Sequence, residues 1–201
     1  MAQVSSNSKP ISFDIAGFEP LGENRWFDPH TPDVIVLGTH KALPRSPVWL
    51  EDIGTLRREL ARMHAATGTL LEADAVSLGG TPALYTLVSE RLPKARTGYL
   101  FRASFVLAKA KSTAVLTGQF AEWDITGIRE TTVRVKLGTI TAGQAPHPYD
   151  PGLPYEPSDD AAWDSQFPEH PLTLARSWAR RVRESAVVDG KFAALPGFRA
   201  G

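Results

Sequence analysis

The chain of 201 residues contains no cysteine, which excludes disulfides, thiolate metal sites and cysteine nucleophiles. It also lacks any excess of charge, since 22 Lys plus Arg stand against 22 Asp plus Glu. That neutrality argues against a general nucleic-acid binder and against a basic membrane-surface protein, both of which carry surplus Lys and Arg. No run approaches the roughly 18 to 20 apolar residues of a membrane span. The opening MAQVSSNSKP is polar and has no apolar signal-peptide core. These absences lead to the expectation of a cytoplasmic protein with residues 1–10 disordered. Three catalytic signatures are missing as well: HExxH, GxSxG and a phosphate loop ending in Gly-Lys-Ser/Thr.

What is present is an ordinary globular composition, 42% hydrophobic and 22% charged, long enough to bury a substantial core. Gly22 to Asp28 and the β-branched run Asp33 to Thr39 read as strands around the turn Asp28-Pro29-His30-Thr31-Pro32. A helix is predicted over Val48 to Ala66. Ser46 suits its cap, Pro47 its first position, and Glu51 and Asp52 its positive end. Trp49, Ile53, Leu56, Leu60 and Met63 recur at helical spacing and form its predicted apolar stripe.

Strand candidates follow at Thr69 to Leu78, Pro82 to Arg91, Gly98 to Ala108 and Thr113 to Trp123, joined by short turn-rich links. Tyr99, Phe101, Ala103, Phe105 and Leu107 alternate with Arg102 and Ser104, giving one apolar and one wetter face. Thr126 to Leu137 fits both periods, and a short helix is favoured for its first half, after a capping region at Trp123-Asp124. Pro171 to Ala186 reads as a closing helix with Leu172, Ala175, Ala179 and Val182 on one face. The expected fold is α+β, an antiparallel sheet of about six strands packed with a long helix and a C-terminal helix. Its expected divisions are a sandwich over 11–138, an arm over 139–170 packed on it, and the helix and tail over 171–201.

The arm differs from the rest. It holds six prolines, aromatic residues between them, six acidic residues and no Lys or Arg, a charge of −6. Proline removes donors and restricts its neighbours, so regular structure is not expected to run far there. Residues 171–201 carry +4, so neutrality is a sum of unlike parts, and the two segments are expected to meet. Tyr149, Tyr155, Trp163 and Phe167 are too many for a solvated linker. They are expected to pack on the protein's own sheet or to dock a partner.

Asp28, His30 and Asp33 are candidate ligands for a divalent ion, although Asp and Pro at such a turn also serve the backbone. His64 sits near a helix end, where packing or the helix dipole explains it. Gly79-Gly80-Thr81-Pro82 joins two strands and reads as a hairpin turn.

The opening ISFDIAGFEPLGENRWFD, the helix after Ser46-Pro47 and the strand pair AVSLGGTPALYTLVSE with its Gly-Gly turn resemble the Mog1/PsbP-like α/β sandwich, a fold also used by DcrB-type bacterial proteins. The resemblance covers roughly residues 11 to 137. AEWDITGIRE and SDDAAWDSQFPEHPLTLAR look like stretches of other bacterial proteins with this layout. The resemblance brings no catalytic residue and implies, by analogy of fold, a binding or assembly factor. The expected function is therefore a non-enzymatic protein-interaction module without a cofactor. Its partner would be another protein or a second copy of the chain, docked on the wetter sheet face or the aromatic arm. The alternative is a small-ligand-binding protein or hydrolase with a pocket between helix and sheet, using His30 or His64.

Overall fold

The structure is a computed structural model that describes residues 9–41, 48–92, 98–123, 126–138 and 145–199. Ser46, Pro47, Asp124, the link at 93–97 and most of the expected disordered N-terminus lie outside the described residues.

The chain opens with β1 (Ile11–Ser12), β2 (Glu19–Pro20), β3 (Arg25–Phe27) and β4 (Val34–His40). A 3-10 turn at Leu50–Asp52 leads into α1 (Ile53–His64). Then come β5 (Gly68–Leu78), β6 (Thr81–Arg91), β7 (Tyr99–Lys109), β8 (Ser112–Ala121) and α2 (Ile128–Leu137). The arm contains β9 (Ala145–Pro146), β10 (Pro154–Tyr155) and 3-10 turns at Pro157–Asp159 and Ala161–Gln166. The chain ends with α3 (Pro171–Ser185), β11 (Val187–Val188) and α4 (Gly190–Ala193).

One antiparallel sheet of seven strands dominates, in the order β2-β3-β4-β8-β7-β6-β5. The fold is thus the expected α+β class, with β2 extending the sheet beyond the expected size. The β5–β6 hairpin turns on Gly79 and Gly80, whose φ values of 52° and 79° are the left-handed geometry that a two-residue turn requires.

Helix α3 covers one face over β7 and β8. Its Leu172, Ala175, Ala179 and Val182 are buried, and Trp178 packs between Phe105 and Phe120 at ring distances of 6.1 and 5.9 Å. Gly118 makes this possible, because a Cβ there would stand 2.9 Å from the Trp178 ring. Helix α1 lies on the other face, with Leu56 and Trp49 against Leu84 and with Ala61 against Leu70 and Val88. It is capped by Asp52, which accepts from the Thr55 amide at 3.0 Å. Met63, expected in the apolar stripe, is exposed. The buried face runs from Leu56 through Leu60 to Ala61, and Met63 falls about 20° beyond Leu56 on the side away from the other two, at the margin of that face.

The arm seals the outer edge of β5, where unpaired backbone groups would otherwise invite strand addition. The Leu70 carbonyl accepts from His147 Nε2 at 2.7 Å, which fixes the tautomer and leaves Nδ1 to accept the Tyr149 amide at 3.0 Å. The Tyr149 hydroxyl in turn accepts the Ala73 amide at 3.2 Å. Among the described residues no helix is long and apolar enough to cross a membrane.

Candidate functional site

The register places several acidic side chains where β8 ends and two helices begin. Glu122 directly follows β8, and its Oε2 accepts the Tyr99 amide at 2.9 Å. His170 is the N-cap of α3; its Nδ1 accepts the Leu172 amide, so Nε2 carries the proton and donates to Glu122 Oε1 at 3.1 Å. Glu130 lies in the first turn of α2, near the positive end of that helix. One oxygen each from Glu122 and Glu130 and one His170 nitrogen lie within 4.8 Å of one another. Carboxylate and imidazole together are a donor set suited to a divalent transition metal.

Burial pushes the Glu130 carboxyl above the usual range; its own backbone amide opposes this, and the neighbouring Glu122 charge adds to it. Asp159 is pushed up to about 7, mainly by burial and then by the charge of Glu130. These acids are walled by a network that holds α2 to the arm. Arg129, with 0% of its surface exposed, donates from Nε to the Ser158 carbonyl at 2.6 Å and from Nη1 to Thr173 Oγ1 at 3.0 Å. Its Nη2 donates to the Asp160 carbonyl at 3.0 Å and to Asp164 Oδ1 at 2.9 Å. Arg176 of α3 donates to the same Asp164 oxygen at 2.9 Å, and to Glu72 at 2.5 Å and the Asp159 carbonyl at 2.6 Å. Arg134 pairs with Glu156 at 2.7 Å.

Above Glu122 and His170 opens a cleft of about 460 Å³. Ala121, Trp123, Ile128, Phe167, Pro168, Pro171 and Leu174 form its apolar wall, and Asp33 and Glu169 add further carboxylates. Asp33 is buried at the start of β4 and accepts the Ala121 amide at 3.3 Å. Burial raises its carboxyl, against the lowering contacts to Thr31 and Ala121.

The residues singled out in the sequence fall in different places. Tyr149 lies on the β5 edge beside Leu153, under the Arg57 guanidinium at 5.3 Å. Tyr155 packs against the main core and against the His147 ring at 5.8 Å. Trp163 lies half-buried under Lys136 Nζ at 5.7 Å, and Phe167 stands in the cleft wall near Arg129. Asp28 spends an oxygen on the His30 backbone amide at 2.8 Å, as turn aspartates do. Of that trio Asp33 alone lines the cleft. His64 sits at the end of α1, where burial lowers its pKa, and does not line the cleft. Glu122, Glu130 and His170 were missed as a group, because 48 residues separate the outer two in sequence. The signal available was an acidic residue at each of two predicted element ends.

No protein-family model matches the chain, and no curated protein matches it.

Proposed function

We propose that the protein binds a small organic molecule in the cleft between the N-termini of α2 and α3 and the end of the sheet. The supporting observation is the cleft itself: about 460 Å³, mostly apolar walls, and a few polar groups converging on one side. Asp33, Glu122 and Glu169 are acceptors, so the favoured occupant has an apolar body and a cationic or hydrogen-donating end. Trp123 and Phe167 add aromatic surface to the same cleft, which suits a cationic ligand. Phenethylamine and phenylacetate, equal in body and opposite in charge, test this by NMR titration. The amine should perturb the Trp123 indole and Ile128 saturably, and Asp33→Asn should weaken it by about tenfold, equivalent to about 1.4 kcal/mol. Absence of saturable shifts with both probes would remove the reading.

A second reading rests on a separate observation. Ile128 and Val135 of α2 are exposed and, seven residues apart, share one side of the helix; Trp123 is exposed at 65%. Exposed apolar residues of this kind support a protein-interaction role, with the docking face on α2 in place of the sheet or the arm tyrosines.

A further inference from the structure

We propose that Glu122, Glu130 and His170 form a site for one divalent transition-metal ion at the base of the cleft. The three side chains come from a strand end, the first turn of one helix and the cap of another, and they converge within 4.8 Å. Convergence of two carboxylates alone would be repulsive, so something positive belongs between them. The neighbouring cations pair with other acids: Arg129 with Asp164, Arg176 with Glu72 and Asp164, and Arg134 with Glu156 through Nη2, although the buried Arg134 Nε has no partner among the described residues. Among the described residues no Lys or Arg is paired with Glu122 or Glu130.

A second, independent observation points the same way. Glu130 is only 8% exposed, and its buried Oε2 has no hydrogen-bond partner among the described residues. A buried acceptor left without a donor is costly, and a bound cation is what such an atom lacks. Two oxygens and one imidazole nitrogen suit Zn²⁺ or Mn²⁺, whereas Ca²⁺ prefers about six to eight oxygens. Coordination through Nε2 moves its proton to Nδ1, which ends both the donation to Glu122 Oε1 at 3.1 Å and the acceptance of the Leu172 amide at 3.2 Å. Two hydrogen bonds are exchanged for three metal–ligand bonds. Glu122 and His170 also line the cleft, whereas Glu130 does not, so a change at Glu130 tests the ion without altering the cleft wall.

The test is calorimetric titration of the chelator-treated full chain with ZnCl₂ and with MnCl₂, followed by elemental analysis after dialysis. The expected result is saturable uptake of one ion per chain and a thermal midpoint that rises with the ion. Glu130→Gln, which keeps the shape, should lower the affinity by about 10–100-fold and abolish the thermal shift, with circular dichroism reporting an intact fold. No saturable uptake would overturn the proposal. So would uptake that is equal in Glu130→Gln, which would place the ion on other histidines. A wild type that binds no ion, with a Glu130→Gln variant of higher midpoint, would show that a shared proton already neutralises the pair.

Discussion

Helices α2 and α3 each bury an arginine, but they differ in how much apolar surface they turn inward beside it. Helix α3 lies on the sheet and buries Leu172, Ala175, Trp178 and Val182, with Arg176 buried where it reaches the arm, and leaves Arg180, Arg181 and Arg183 in water. Helix α2 packs against the Pro157–Asp159 turn of the arm, buries Arg129 and Glu130 with Val133 as its one fully buried apolar side chain, and exposes Val135 at 74%. The difference lies in what each helix faces. A sheet face offers apolar side chains, whereas the arm offers backbone carbonyls of Ser158 and Asp160 and the Asp164 carboxylate, which only a donor can satisfy. A helix face is selected by its partner surface, and where that partner is the polar arm, as at Arg129 of α2 and Arg176 of α3, the buried stripe carries charge.

Removing Arg129 should have the largest effect. Arg129→Met should cost about 3–5 kcal/mol in denaturant unfolding, because it strands buried carbonyls and one bond of Asp164. A loss below about 1 kcal/mol would reduce the inward face of α2 to an ordinary surface. On the α3 side, Leu172→Ala should cost about 2–4 kcal/mol through transfer and cavity terms, with no dependence on salt.

Next in size is a pH effect at Asp159. The folded carboxyl keeps its proton to about 7, while the unfolded chain loses it near the ordinary value of 3.8. The folded state therefore holds the extra proton between those values, and stability falls as pH rises through that window. Asp33 and Glu130 are raised and act in the same direction. Unfolding free energy should be greater at pH 5 than at pH 8, by about 1–3 kcal/mol, and Asp159→Asn should flatten the slope. A slope unchanged in that variant would assign the effect to other groups. The smallest effect belongs to the outward face of α2, where Val135→Lys should stay within about 0.5 kcal/mol of wild type. That variant also bears on the interaction reading, since it removes apolar surface without disturbing the fold.

The acidic arm and the basic C-terminal segment meet less fully than their charges suggest. Arg176 does reach the arm through Asp164, but Asp150 finds Arg62 of α1, and Glu156 finds Arg134 of α2. Complementary net charge says that pairing is favourable without saying which cations are within reach. Distance in space chooses, and it is set by the sheet.

The strands β4 to β8, both long helices and the Gly79-Gly80 turn were legible from alternation, helical spacing and turn chemistry, because these are local consequences of burying one side. The Trp178 layer was half legible, since its helix face showed but the space left by Gly118 did not. Glu72 shows a different limit. Strict alternation puts it on the side of Leu70, but the register shifts between Leu70 and Glu72, pairs Glu72 with Leu87, and turns it toward Arg176.

The residues themselves determined the antiparallel α+β architecture and the segregation of an acidic, proline-rich arm. Each follows from near-neighbour patterns that hold wherever the segment is placed. Which face of α2 is buried, and which acids gather beside His170, are set by long-range packing alone. Both depend on groups far apart in the chain, whose charges and unpaired hydrogen-bonding atoms acquire their value once packing has removed the water between them.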